Sequence, residues 1–214
     1  MLGVMLGEKH SYHDLGLWLK KYPEITPPSP KTKFVDVPGR DGALNLSKVL
    51  TGRIQYSRRT VTMEFSILGP RDEWPEIHGE ILDLLHGQEM ELVLDDDPEF
   101  CYTGLVSVSG FDPQKVTSGV TITMDAEPYR TRMHATKQTI DVSGSQTAEI
   151  ANGKKPVIPT ITASSAMQMI FSGLSYSLAA GENVSPDVIM REGSNVFEFI
   201  GDGSVTLEYR EGRF

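Results

Sequence analysis

The sequence predicts a mainly β protein: an α+β N-terminal domain, one helix packed on antiparallel sheets, followed by a C-terminal β-sandwich. Three observations predict it. Apolar and polar residues alternate in short runs along most of the chain, as half-buried strands require. The 20 Gly and 13 Pro are scattered between those runs rather than clustered, so they read as turns. Only one stretch carries helical spacing. At 214 residues the chain can bury a real core in one or two domains. Its composition shifts near residue 134, so the expected domains are 1–133 and 134–214.

Leu15, Leu17 and Leu19 alternate with Gly16, Trp18 and Lys20. Both faces carry bulk, so the run reads as a strand covered on two sides. Pro23, Pro27, Pro28 and Pro30 then impose an extended connector, because proline offers no amide hydrogen and biases its predecessor away from helix. A strand over 33–37 is stopped by Pro38-Gly39. Beyond Leu44, Leu46 and Leu50 a further strand begins at Tyr56. Its clearest part is 60–67, with Val61, Met63, Phe65 and Ile67 on one face and Thr60, Thr62, Glu64 and Ser66 on the other. Gly69-Pro70 breaks it.

The helix is expected over 73–86. Asp72 is the predicted cap, Pro75 falls in the first turn where no amide hydrogen is needed, and Gly87 suits the stop. Trp74, Ile77, Ile81, Leu84 and Leu85 make one buried face, and His86 would meet the negative end of the helix dipole. Met90, Leu92 and Leu94 then alternate as a strand, followed by a turn at 95–98 and a strand over 100–109. Asp112-Pro113 is expected to turn the chain before a strand carrying Val120, Ile122, Met124 and Ala126.

Beyond residue 134, Ser, Thr, Gly and Ala dominate and helix signals vanish. Strands are expected at 138–142, 156–163, 167–172, 175–178, 187–190, 195–200 and 205–210. Asn152-Gly153 and Gly201-Asp202-Gly203 read as turns, the second joining the last two strands as a hairpin. The sum is a small β-sandwich. No internal repeat survives counting.

A formal charge of −9 argues against a phosphate-backbone binder, which needs a basic face to release counterions. One cysteine, Cys101, excludes an intrachain disulfide framework and a cysteine-rich zinc site, and it reads as a small packed hydrophobe. No apolar run approaches the ~18 residues of a membrane span. The opening, 1–7, is apolar but has no basic leader, so synthesis and folding in a cytoplasm are expected.

Chemistry-bearing constellations are few. His10-Ser11-Tyr12-His13-Asp14, with Glu8 nearby, has some metal-ligand density, but the residues beyond it alternate as a strand does, and a solvated loop is the preferred reading. His78 and His86 are about two helical turns apart, too far to share an ion. Asp95-Asp96-Asp97 lacks the spaced oxygens and distal Glu of a calcium loop and reads as a solvated acidic turn. No nucleophile elbow, zinc-protease pair or phosphate-binding loop occurs. No catalytic, cofactor-binding or metal site is therefore assigned, and no enzyme activity is expected. Charge is unevenly spread: residues 72–99 hold 11 acidic residues and no Lys or Arg, while Lys48, Arg53, Arg58 and Arg59 lie just upstream. Such segments either pair within one subunit or meet between neighbours in a ring, where complementarity sets register.

Several stretches, in their order and spacing, resemble the distal tail proteins of long-tailed phages. They are Val37-Pro38-Gly39-Arg40-Asp41-Gly42, Tyr56-Ser57-Arg58-Arg59, the helix leading to Leu85-His86-Gly87, and Leu92-Val93-Leu94-Asp95-Asp96-Asp97-Pro98 with Phe100-Cys101-Tyr102-Thr103-Gly104. In the C-terminal half, Gly193 to Gly203 followed by Tyr209-Arg210-Glu211-Gly212 looks like the closing hairpin of that family's galectin-like domain. The resemblance implies a hexameric ring at the virion tail tip, assembled in the host cytoplasm. It would join the tail-tube protein to the tail-associated tip protein, and DNA would pass through its lumen without specific binding. Pro38, Gly39, Arg40, Asp41 and Gly42, the apolar first strand, and Arg58 and Arg59 are the candidates for the ring contact. The alternative is a carbohydrate-binding sandwich for host-surface attachment. The aromatics of that half are Phe171, Tyr176, Phe197, Phe199, Tyr209 and Phe214; Phe197 and Phe199 share one strand face and read as core, and Tyr176 and Tyr209 are expected to be exposed.

Overall fold

Alternation in the sequence becomes alternation in space along Arg59–Ile67, where every second residue is buried and Val61, Met63 and Phe65 are fully enclosed. The structure is a computed structural model that describes residues 3–113 and 118–214. The chain divides into two units, Met1–Arg130 with Phe214, and Thr131–Arg213.

In the first unit Arg59–Ile67 lies between Ser118–Ala126 and Leu17–Leu19, all antiparallel. The sheet continues through Asp97–Pro113, Glu89–Leu94, Val4–Leu6 and Lys9–His10. The strand expected over 100–109 is longer at both ends. Asp112 and Pro113 belong to it, and the turn after them lies outside the described residues. Leu17–Leu19 is covered on one side only. Leu17 is buried while Trp18 is 40% exposed, its ring edge-on to Tyr12. The proline-rich connector is extended but not free, since Glu24–Ile25 pairs with Arg59–Ile67.

A 3-10 turn, Arg71–Glu73, leads into the helix Trp74–Leu85. Asp72 does not cap it. The Glu73 amide donates to Pro70 O and the Trp74 amide to Arg71 O, so the tight turn satisfies donors a side-chain cap would otherwise serve. Gly87, at φ +75°, ends the element as expected. Only the centre of the predicted apolar face is buried: Trp74, Ile81 and Leu85 enter the core, Ile77 is half-buried and Leu84 is 42% exposed. Each of the three buried side chains is worth about 1.5–3 kcal/mol of transfer free energy. His86 turns to the neighbouring strand rather than to the helix end. Its Nδ1 accepts the Val108 amide hydrogen (3.1 Å), which requires a free lone pair there.

The second unit differs most from expectation. Gly193–Tyr209 is one continuous strand of 17 residues, paired antiparallel along its whole length with Thr136–Asn152. Gly201-Asp202-Gly203 is therefore not a hairpin turn. Gly201 and Gly203, at φ +149° and +139°, bend the strand, and Gly144 opposite Gly201 bends its partner at φ +73°. A side chain at Gly201 would begin 2.7 Å from Met167 Cβ, so the close approach also demands glycine. On one side of the bend Met167–Phe171 joins the long strand at Gln168 to Phe171, with Leu174–Leu178 outside it. On the other side Thr160–Ala163 joins at Glu208 to Val205, with Gly181–Asn183 outside. Two layers result from one bent pair. Phe197 and Phe199 from one half share a core with Val205 and Leu207 from the other.

No strand forms over 187–190; Met190 makes a single bridge to Val157 instead. Gly181–Asn183, not expected from alternation, carries half of a short repeat. Gly181-Glu182-Asn183-Val184 and Gly193-Ser194-Asn195-Val196 fold alike. Each Asn accepts the amide hydrogen four residues earlier at Oδ1, and donates through Nδ2 to the carbonyls two and four residues earlier and to a neighbouring strand. The side chain thereby replaces backbone partners at a strand entrance.

Candidate assembly surface

Residues 30–56 form a β-arm held by two short ladders. Pro30–Lys31 pairs with Gln55–Tyr56, and Phe34–Val35 pairs with Leu44–Asn45. Ser47 clamps it, accepting the Lys33 amide hydrogen at Oγ (2.8 Å) while its own amide donates to Asn45 Oδ1 (2.9 Å). Pro38, Gly39, Arg40, Asp41 and Gly42 lie at the tip and are all exposed, with Gly39 and Gly42 in the left-handed region. Phe34, Val37, Leu44, Val49 and Leu50 are exposed too, Leu50 to 96%. A hollow of about 440 Å³ opens beside Leu46, Val49 and Leu50, between Lys31 and Gln55. The sequence marked Leu50 only as one of the spaced leucines Leu44, Leu46 and Leu50, and did not mark Val49. The available signal was an apolar pair between Lys48 and the Thr51-Gly52 turn, where no core-facing period calls for one.

The basic segment splits in two. Arg58 is paired inside its own unit, with Asp125 (3.5 Å) and Glu127 (3.4 Å). Arg59 is 7% exposed, donates from Nε to Thr26 O (2.9 Å) and lies over the Tyr102 ring (5.3 Å). Burial pulls its pKa below the ordinary value, opposed by Tyr102 and assisted by Arg130. Its burial within the chain removes Arg59 from the outward-facing candidates. Lys31, Lys33, Arg40, Lys48 and Arg53, all on the arm, make no ion pair among the described residues.

The acidic segment is only partly solvated. Asp97 pairs with Arg130, and Asp95 Oδ2 accepts the Gly3 amide hydrogen (2.7 Å) while its carboxylate lies 3.3 Å from His10 Nε2. His10 Nδ1 in turn accepts the amides of Tyr12 and His13 (both 3.2 Å), which leaves the ring proton on Nε2 facing Asp95. The His10–Asp14 stretch is thus a hydrogen-bonded turn, and Asp95-Asp96 is an exposed turn, as expected, whose first carboxylate is also tied to Gly3 and His10. Among the described residues no group of three or more His, Cys, Asp or Glu is arranged to hold a metal ion. Beside the helix a second hollow, about 380 Å³, is lined by Lys9, Asp14, Leu15, Ile77, Glu80 and Leu84, among others.

The second unit presents no fully exposed aromatic ring among its described residues. Phe171, Phe197 and Phe199 stack in its core. Tyr209 is buried, contrary to expectation, and donates its hydroxyl to Ala151 O (2.7 Å). Tyr176 is half-buried. Phe214 belongs with the first unit, stacked on Tyr129. Cys101 is fully buried, as a packed hydrophobe would be. No helix among the described residues is long and apolar enough to cross a membrane.

A helix-bearing antiparallel unit followed by a small sandwich is a fold shared with a solved phage protein. The chain matches the crystal structure of SPP1 Dit (gp 19.1), described as a paradigm of the hub adsorption apparatus in phages infecting Gram-positive hosts. The match has a TM-score of 0.73, covers 100% of both chains and runs at 14% sequence identity. No family model matches the chain, and no curated protein matches it in sequence. The likeness lies in the fold, which the residues quoted above as a resemblance anticipate.

Proposed function

We propose that this chain is a structural hub protein of a phage tail tip. The observation that carries the reading is the end-to-end match in fold with SPP1 Dit, both units included and no length left over on either chain. In this role the first unit builds a closed ring of about six copies by a head-to-tail contact, since identical subunits close a ring only through two different patches. The ring joins the tail-tube protein on one face to a tail-associated tip protein on the other, in the virion, after assembly in the host cytoplasm. Its work is its interfaces; it turns over no substrate. The overall negative charge suits a passage for DNA, because a negative lumen repels phosphates and does not retain them. Host attachment through sugar binding has less to rest on, since the second unit's aromatic rings are spent on its core.

Light scattering across a concentration series tests the reading. The expected heaviest species has about six times the 23.6 kDa chain mass. A chain that remains monomeric at the highest concentration, both alone and with a tail-tube ring added as template, would contradict it.

A further inference from the structure

Two surfaces of the first unit are incomplete in complementary ways. The arm carries exposed Val49 (67%) and Leu50 (96%), flanked by Lys48 and Arg53, which have no ionic partner among the described residues. Over residues 30–56 it bears five basic side chains against two acidic ones. The hollow beside the helix has an apolar floor of Leu15, Ile77 and Ile81, with Leu84, 42% exposed, on its wall. Asp14 and Glu80 line it, Lys9 being the single cation there, and Glu76 and Asp83 extend the acidic rim along the helix.

The helix explains why this hollow exists. Ile77 and Leu84 are seven residues apart, about two turns, and so fall on the same edge of the apolar stripe. The core uses Trp74, Ile81 and Leu85, covers Ile77 only in part, and leaves Leu84 on that edge exposed. About 380 Å³ accommodates two aliphatic side chains. The arm supplies two adjacent ones, with positive charge on both sides.

We propose that Val49 and Leu50 of one copy seat in the Leu15–Ile77–Leu84 hollow of the next copy, with Lys48 and Arg53 against Glu80 and Asp83. This names the two patches of the head-to-tail contact and so rests on the ring reading above. Apolar burial supplies the adhesion and the charge pairing sets orientation and register. A contact built from two different patches propagates around a ring without self-pairing, because the arm has no complementary surface on a second arm.

Disulfide trapping in mixed samples tests it. One preparation carries Leu50→Cys and the other Leu84→Cys; both positions are exposed, so neither change disturbs the core, and the native Cys101 is fully buried. After mild oxidation the mixture is expected to give an interchain disulfide that neither preparation gives alone. Lys48→Glu with Arg53→Glu should abolish the trapped product, and Glu80→Lys with Asp83→Lys on the other copy should restore it. Rings that form normally while the mixture yields no disulfide would overturn this contact and leave the hub reading standing. Absence of both rings and disulfide, with the tail-tube template present, would overturn the two together.

Discussion

Asn195 shows how much one side chain contributes to the second unit. It is 7% exposed and makes four hydrogen bonds, to Arg191 N and O, Gly193 O and Ile150 O. Asn195→Ala leaves those groups unpaired in a closed environment and should cost about 2 kcal/mol of that unit's stability. Denaturant unfolding followed by circular dichroism checks this; a loss below a few tenths would contradict the account. Tyr209 makes a pH prediction. Burial, and after it the Glu211 carboxylate, raises its phenol above the ordinary value of 10.0. The folded state therefore prefers the neutral phenol. Its contribution is complete below that ordinary value and is lost as pH rises through the higher folded-state value. Unfolding midpoints should fall more steeply above pH 10 in the native chain than in Tyr209→Phe, and parallel slopes would refute the assignment. Alternation did not single out Asn195, whereas Tyr209 shares the buried face of the alternating run Val205-Thr206-Leu207-Glu208-Tyr209 and was nevertheless expected to be exposed. The four-residue motif Gly-x-Asn-Val occurs at 181–184 and 193–196, but its meaning is side-chain bonding to backbone, which hydrophobic period does not register.

At the scale of elements, the sequence was most legible where one face is buried and the other is wet. Val61 to Ile67 and Val120 to Ala126 lie as their pattern predicts, because a one-residue slip would turn the whole apolar set to solvent. The helix was legible in extent but not in its cap or its full buried width, since a 3-10 turn took over the cap and the sheet covers only the stripe's centre. Gly201-Asp202-Gly203 was misread for a physical reason. Glycine serves both a turn and a sharply bent strand, and only the distant partner strand, with Gly144, Ser143 and Val142 opposite them, decides between the two. Gly201→Ala separates the two roles. A tolerant turn would lose little, whereas the bent strand places the new methyl 2.7 Å from Met167 Cβ. The expected loss is about 1–3 kcal/mol, with earlier proteolysis of the second unit on heating. Unchanged thermal unfolding would contradict the bend.

For the whole molecule, the candidate surface was half legible. The tip, Pro38 to Gly42, was marked by its turn residues and is exposed. Arg58 and Arg59 were marked by charge, yet their partners, Asp125, Glu127, Thr26 and Tyr102, lie far away in sequence and draw both inward to differing degrees. What remains outward is an arm of exposed aliphatics and cations that make no ion pair among the described residues, on a unit whose helix edge is acidic and hollow. In the proposed ring they are the two sides of one contact between copies. Mass alone does not separate a closed ring from an open string of subunits, but an image does. The most direct measurement is negative-stain microscopy of the heaviest species obtained with and without a tail-tube template. The account predicts closed rings of about six subunits around a central hole. Filaments without closure, or single particles with no hole under both conditions, would contradict it.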